Sequence, residues 1–315
     1  MKKTASKPIT PVPQSVWLDT DIGDDTDDIF ALALILASPE LNLTGVSTVF
    51  GETDARARLA QTLLKLHARD NVPVFAGCGH PLLGNGRMDI LPNGPMVREP
   101  IAQGACALPK YKLPTLPKTH AVEAMARLIR SNPGQMIPVA IGPLTNIATL
   151  ILEDPKIVKK IPRLVVMGGE FKKCMWEWNI HCDPQSAACV VESDLPIDFI
   201  PWAIGMTCTV STVQLNQLFA SRTRTGRLLT RAVKLWRKAK PRLHHMPHLF
   251  DPMAVAVLLH PEWFEWQRGR VSVSFAPASF AHTQFTPDPQ GPHRIARQVK
   301  KSVAVRTVWD RILAL

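Results

Sequence analysis

Three features of the sequence predict a single α/β domain built on a mainly parallel, open sheet flanked by helices. Short apolar runs recur along the chain, each ending in glycine or polar residues and most followed by apolar residues at helical spacing, the alternation expected of βαβ units. No internal repeat or low-complexity linker divides the 315 residues. Hydrophobic residues make up 46% of the chain and charged residues 20%, which is ample apolar side chain for one large core.

The opening MKKTASKPITPVPQS is polar and proline-rich, with no apolar stretch after Lys3. It does not read as a secretory signal. Residues 1–14 are therefore expected to be a flexible segment and 15–315 the domain. Ser15 to Leu18 is the first strand, followed by an acidic cluster and a helix from about Asp28 to Leu36. LTGVSTVF (Leu43 to Phe50) is the second strand and leads into the helical pattern GETDARARLAQTLLKLHA. Further strands are expected at Pro73 to Gly77, at Ile137 to Ile141 before GPLTNIATLIL, at Arg163 to Met167 before Gly168 and Gly169, and at Ile197 to Ile204. Leu83 to Pro117, rich in proline and glycine, reads as a long surface loop. In parallel sheets, ligands bind outside the carboxyl ends of the strands. The acidic cluster, Thr145 and the Gly168-Gly169 pair all follow candidate strands, which points them at one crevice.

A formal charge of +11 and a pI near 9.6 would suit an acidic partner, but they also describe many enzymes. Between Ser221 and Pro247, Arg224, Arg227, Arg231 and Lys234 fall on one helical face, read as a solvated face rather than a nucleic-acid contact. No run approaches the ~18 apolar residues of a membrane span, so the expectation is a cytoplasmic protein with neither membrane nor nucleic acid as partner. Six cysteines without a CxxC pair argue against a zinc site or a disulfide framework.

The most informative stretch is WLDTDIGDDTDDIFALALILAS, from Trp17 to Ser38. It places Asp19, Asp21, Asp24, Asp25, Asp27 and Asp28 at one strand-to-helix turn. Six like charges repel unless something neutralises them. Helix N-terminal amides compensate Asp27 and Asp28, and the remainder call for a cation. Carboxylates suit a hard ion such as calcium or magnesium. An EF-hand is excluded, because counting from Asp19 places Asp24 where its glycine belongs and Phe30 where its glutamate belongs. A phosphatase of the haloacid dehalogenase type also begins with a strand and an Asp-x-Asp pair. It would need threonine or valine where this chain has Gly23, which makes phosphoryl transfer the weaker enzymatic reading.

The strand, DTD-x-G, DD and apolar helix resemble the signature of the inosine-uridine-preferring nucleoside hydrolases, with Asp24 and Asp25 as a two-residue insertion. Other segments resemble the family's motifs in the same order: GPLTNIA (Gly142 to Ala148), VVMGGEF, EWNIHCDPQSAA (Glu177 to Ala188) and FDPMAVAVL (Phe250 to Leu258). The resemblance spans Trp17 to Leu259. It implies the nucleoside hydrolase fold, which is Rossmann-like, and calcium-dependent hydrolysis of a ribonucleoside to ribose and free base. It also implies assembly as a homo-oligomer, dimer or tetramer. By correspondence, Asp21, Asp28, Asp251 and the Thr145 carbonyl ligate the ion, and Asp21 is the general base. Asp27 binds a ribose hydroxyl, as do Glu177 and Asn179, which are expected two apart in an extended segment. As isolated residues, Asp251, Thr145, Asn146 and Asp183 would read as helix caps.

Three departures from the family pattern stand out. Gly51-Glu52 replaces a Gly-Asn pair, adding a carboxylate near the ribose or the water. The short EFKKCMW loop lacks an asparagine for the ribose 5'-hydroxyl. Phe250 replaces the histidine that protonates the leaving base, which leaves His244, His245 and His248 as candidate acids. Phe250 and Trp178 are candidates to stack on the base. The alternatives to nucleoside hydrolysis are the phosphatase and a catalytically impaired relative that binds nucleoside or sugar.

Overall fold

In the computed structural model, residues 12–83, 101–173, 175–240 and 246–315 are described. In chain order the elements are β1 (Gln14–Thr20), α1 (Asp27–Leu36), β2 (Leu41–Thr48), α2 (Thr53–Leu66), β3 (Val74–Ala76), α3 (Ala121–Ser131), β4 (Met136–Ala140), α4 (Thr145–Glu153) and β5 (Leu164–Met167). They continue with α5 (Trp178–Cys182), α6 (Pro184–Val191), β6 (Ile197–Ile200), α7 (Trp202–Thr207), α8 (Thr212–Ala220), α9 (Arg224–Ala239) and α10 (Phe250–Leu259). The chain ends with β7 (Phe264–Val273), β8 (Thr283–Pro287), β9 (His293–Val299) and α11 (Lys301–Leu313).

Among the described residues, nine strands form one sheet in the order β3-β2-β1-β4-β5-β6-β9-β7-β8. β1 to β6 are parallel, β9 continues them in parallel, and β7 and β8 add an antiparallel edge. The chain runs outward from β1 to β3, then returns to the other side of β1 with β4. That reversal opens a crevice beyond the carboxyl ends of β1 and β4, where open α/β sheets bind ligands.

The central strands are apolar because helices cover both faces of the sheet. β4 and β5 are buried throughout. α1 and α10 pack on each other, and each is apolar nearly all round, with Ile29–Ile35 and Pro252–Val257 buried. Two helices sunk this deep carry their first-turn aspartates into the interior with them. α9 shows the opposite pattern: Leu228, Leu229, Ala232, Val233 and Trp236 are buried, while Arg224, Arg227, Arg231 and Lys234 are exposed.

The structure differs from the sequence reading in three places. The run from Ile197 breaks at Pro201, which the sheet cannot accommodate, and Trp202–Thr207 is helical. The C-terminal region supplies three strands and a helix where the sequence pattern had indicated nothing specific. Of the expected long loop, residues 84–100 lie outside the described set, but the remainder is not merely surface: Ile101, Gln103 and Cys106 are buried.

Candidate active site

Four carboxylates meet at the crevice. Asp21 leaves the end of β1, Asp27 and Asp28 open α1, and Asp251 sits in the first turn of α10. Carboxylate oxygens of Asp27, Asp28 and Asp251 all lie within 4.8 Å of one another. Asp21 is close enough to push up the pKa of each of the three. Residues some 225 positions apart are joined because α1 and α10 pack side by side. Asp251 is not the cap of its helix, since Leu249 holds that position.

Burial and mutual repulsion dominate the electrostatics. Desolvation first, and neighbouring carboxylates second, hold Asp27, Asp28 and Asp251 well above the usual carboxylate range. Burial raises Asp21 to about 6, against the pull of the Arg56 guanidinium. Asp19 is raised to about 7 by burial, although its Oδ1 accepts from Ser47 Oγ at 2.5 Å and Asn146 Nδ2 at 2.7 Å.

These shifts bear on the pH response of the metal-free protein. A carboxylate raised in the folded state binds protons more tightly there than in the unfolded chain, so its contribution to stability grows on acidification and is lost as pH rises through the folded value. From Asp19 at about 7 and Asp21 at about 6, the protein in chelator is expected to melt several degrees higher near pH 5 than at about pH 8. Thermal denaturation in chelator across that range checks this. A melting temperature that falls steadily with acidification would contradict it.

The surrounding residues hold the carboxylates in place. Thr20 Oγ1 donates to Asp28 Oδ1 at 2.5 Å. Asn146 ties Asp19 to the Thr48 carbonyl (3.1 Å) and accepts from the Cys78 amide (2.8 Å), linking β1, β2 and the turn after β3. Gly142 is required by close approach, because a Cβ there would lie 2.9 Å from Asp21 Oδ1. Asp183 caps α6 through Ser186 and also accepts from the Leu82 amide and Thr145 Oγ1.

Several expected site residues sit differently from the sequence reading. Thr145 lies inside α4, and its carbonyl accepts from Thr149 Oγ1 at 2.8 Å, directed along the helix and away from the crevice. The carbonyl at the end of β4 is that of Ile141, which accepts from Asn179 Nδ2 at 3.0 Å. Glu177 and Asn179 are not in an extended segment. Glu177 caps α5, with its carboxylate accepting from the Gly169, Asn179 and Ile180 amides, and Asn179 is in the first turn. Both are nonetheless buried, and Asn179 also reaches the Met167 carbonyl at the end of β5. Glu52 is exposed at the start of α2 and is not among the carboxylates brought together.

Trp178 packs edge-on to Phe50, with ring centroids 6.4 Å apart. Phe250 lies 5.3 Å from the His248 ring, whose Nδ1 is 3.2 Å from Thr209 Oγ1. His244 and His245 lie outside the described residues.

Two contributors carried no sequence signal. Arg56, on α2, is buried, and its guanidinium bonds the carbonyls of Phe50, Asp21 and Ile22 and the Asp24 carboxylate. The Gln103 side chain donates to the Asp25 carbonyl, and its main-chain amide donates to the Gly23 carbonyl at 2.8 Å. Asp24 and Asp25 thus belong to a braced turn.

The donor set fits a divalent cation. Oxygens within 4.8 Å of one another span about twice a calcium–oxygen bond of about 2.4 Å. The buried cation nearby, Arg56, is committed to Asp24 and three carbonyls. Like-charged carboxylates packed this closely remain ionised only with a compensating charge among them.

Fold and crevice together define an α/β protein with a cluster of buried carboxylates at the switch point of its sheet. A sequence model of the inosine-uridine preferring nucleoside hydrolase family matches residues 16–309, and the chain belongs to that family, hydrolases that act on the N-glycosyl bond of nucleosides. It is 28% identical over 284 residues to a probable uridine nucleosidase 2 of Oryza sativa subsp. japonica, covering 87% of this chain and 82% of that one. It is 32% identical over 266 residues to the pyrimidine-specific ribonucleoside hydrolase RihA of Enterobacter sp., covering 79% and 80%. Among solved structures, a plant nucleoside hydrolase superposes with a TM-score of 0.80 at 22% identity, covering 96% of this chain and 100% of that one. A purine-preferring ribonucleoside hydrolase from Gardnerella vaginalis gives a TM-score of 0.80 at 22% identity, covering 96% and 98%. Among the described residues, no helix is long and apolar enough to cross a membrane.

Proposed function

We propose that the chain hydrolyses the N-glycosidic bond of a ribonucleoside to ribose and free base, using calcium held by Asp21, Asp28 and Asp251 and also by Asp27. Asp27 is reassigned from the ribose hydroxyl to the ion because its carboxylate lies within 4.8 Å of those of Asp28 and Asp251. The observation that carries this reading is the convergence of three buried carboxylates within 4.8 Å at the switch-point crevice. The Ile141 carbonyl is a better candidate than that of Thr145 to complete the set, since it lies at the strand end beside Gly142 and Asp21. When bound, the ion would acidify and orient a water and hold the sugar diol.

The chain's own groups supply the rest. Asp21, half-buried at the strand end, accepts the proton of the attacking water. The fixed negative charge of the cluster stabilises the oxocarbenium character that develops as the base departs. Asn179, with its amide nitrogen committed to the Ile141 and Met167 carbonyls, offers its oxygen to a ribose hydroxyl. Glu177, fixed by three main-chain amides, is the second candidate for the sugar. The Phe50–Trp178 pair and Phe250 are apolar surfaces suited to a base ring. His248, against Phe250, is the candidate proton donor to the leaving base.

The test is a panel of purine and pyrimidine nucleosides with calcium, analysed for equimolar base and ribose, with phosphomonoesters as controls. Base and ribose are expected from at least one nucleoside. Phosphate release alone would favour the phosphatase, and binding without cleavage the impaired relative. In the same assay, His248→Ala is expected to slow turnover of wild-type substrates by about 10²-fold or more. Unchanged turnover and pH profile would remove His248 as the acid.

A further inference from the structure

The Arg56 side chain joins the end of the β2 path to the loop that follows β1. Its Nε donates to the Phe50 carbonyl at 2.6 Å, one terminal nitrogen donates to the Asp21 and Ile22 carbonyls, and the other donates to Asp24 Oδ2 at 2.7 Å. Phe50 ends the path of β2 with a positive φ of 68°, a conformation non-glycine residues rarely hold unless the surroundings fix it. Asp21 and Ile22 lead directly into Gly23, at φ 131°, and through the inserted turn into Asp27. Asp24 is held from its far side as well, since its Oδ1 accepts from the Ala102 amide at 3.3 Å. Apart from the bond to Phe50, every one of these contacts falls on the loop that carries Asp21 and leads into Asp27 and Asp28.

We propose that Arg56, with Asp24 as its partner, is the positioning residue that keeps the aspartate loop in the shape that takes up a divalent cation. The inference rests on the metal-site reading above. When ionised together, Asp21, Asp27, Asp28 and Asp251 repel one another, which works against the shape of the loop. Arg56 holds that shape through main-chain carbonyls, so it leaves the carboxylates themselves free for the ion. The pairing also gives the inserted Asp24 a role. It pairs directly with the buried guanidinium, so no carboxylate of the cluster has to bond to Arg56. Lysine cannot replace this arrangement, because a compact ammonium lacks the planar fork that reaches four acceptors on different segments.

Calcium binding to chelator-stripped wild type, R56K, D24N and the double variant, measured by titration calorimetry, tests the proposal. Far-UV circular dichroism and melting temperature in chelator are recorded alongside. R56K is expected to weaken calcium affinity by about 10–100-fold. D24N is expected to weaken it by about tenfold, and the double variant by no more than R56K, because both act through one contact. A purely structural role would lower the metal-free melting temperature and leave calcium affinity unchanged. Folded R56K with affinity within about twofold of wild type overturns the proposal. If R56K does not fold, D24N decides by the same criterion, since Asp24 is partly exposed. Wild type that takes up no calcium overturns the metal-site reading and this inference together.

Discussion

Replacing Asp251 with asparagine is expected to lower kcat/KM by about a thousandfold while leaving the metal-free protein at least as stable as wild type. The two halves of this prediction share one cause. Asp251 is buried against Asp27 and Asp28, and its ionised form is opposed by desolvation and by those neighbours. In the absence of an ion it is a burden on the fold, and neutralising it relieves repulsion. With an ion bound it supplies a charge that asparagine cannot. A residue retained only to cap or pack α10 would behave otherwise: its loss would lower the melting temperature and spare turnover. Steady-state kinetics with calcium and thermal denaturation in chelator distinguish the two. A destabilised variant with near-normal kcat/KM would count against the site as described.

Asp21→Asn removes the general base together with one ligand of the ion. Asp21 is half-buried at the mouth of β1, with its carboxylate raised to about 6 by burial and drawn back by Arg56. A general base must be deprotonated, so wild-type kcat/KM is expected to fall with acidification as that carboxylate takes up a proton, at a pH displaced downward when calcium competes with the proton. The amide is expected to reduce kcat by about 10³-fold and to abolish the acid limb of the pH profile. Calcium binding should weaken but persist through Asp27, Asp28 and Asp251. An unaltered acid limb in Asp21→Asn would assign the base elsewhere.

The aspartates proposed for this site were legible in the sequence because their signals are local. Asp21, Asp27 and Asp28 stand together at a strand end and a helix start, and Asp251 opens an apolar run whose uniform hydrophobicity announces a buried helix. Their meeting depends on α1 packing against α10, a tertiary fact supplied in advance only by the order of family-like motifs. Misreadings arose where one residue type serves two conformations. Glu177-Trp178-Asn179 fits an extended segment as well as a capped helical turn. Thr145 is adjacent to a strand end, but once the helix begins at that residue its carbonyl points down the helix axis.

Arg56 was out of reach for a different reason. In the sequence it is one arginine among others on an amphipathic helix. Nothing local marks it as the residue whose guanidinium turns inward to bind Phe50, Asp21, Ile22 and Asp24. The edge formed by β7 and β8 was missed because its strands alternate buried and exposed side chains weakly, at a margin where one face is wet. The break at Pro201 was readable, since proline inside an apolar run argues against a continuous strand.

The central claim is that the aspartates of α1 and α10 form a divalent-cation site on which nucleoside cleavage depends. Its most direct test is a titration of calcium into chelator-stripped protein supplied with a nucleoside that it cleaves, following ribose release and ion uptake in parallel. The account predicts negligible release in chelator and a rate that saturates in register with uptake of the ion. Full turnover in chelator, or complete uptake with no release of ribose, would contradict it.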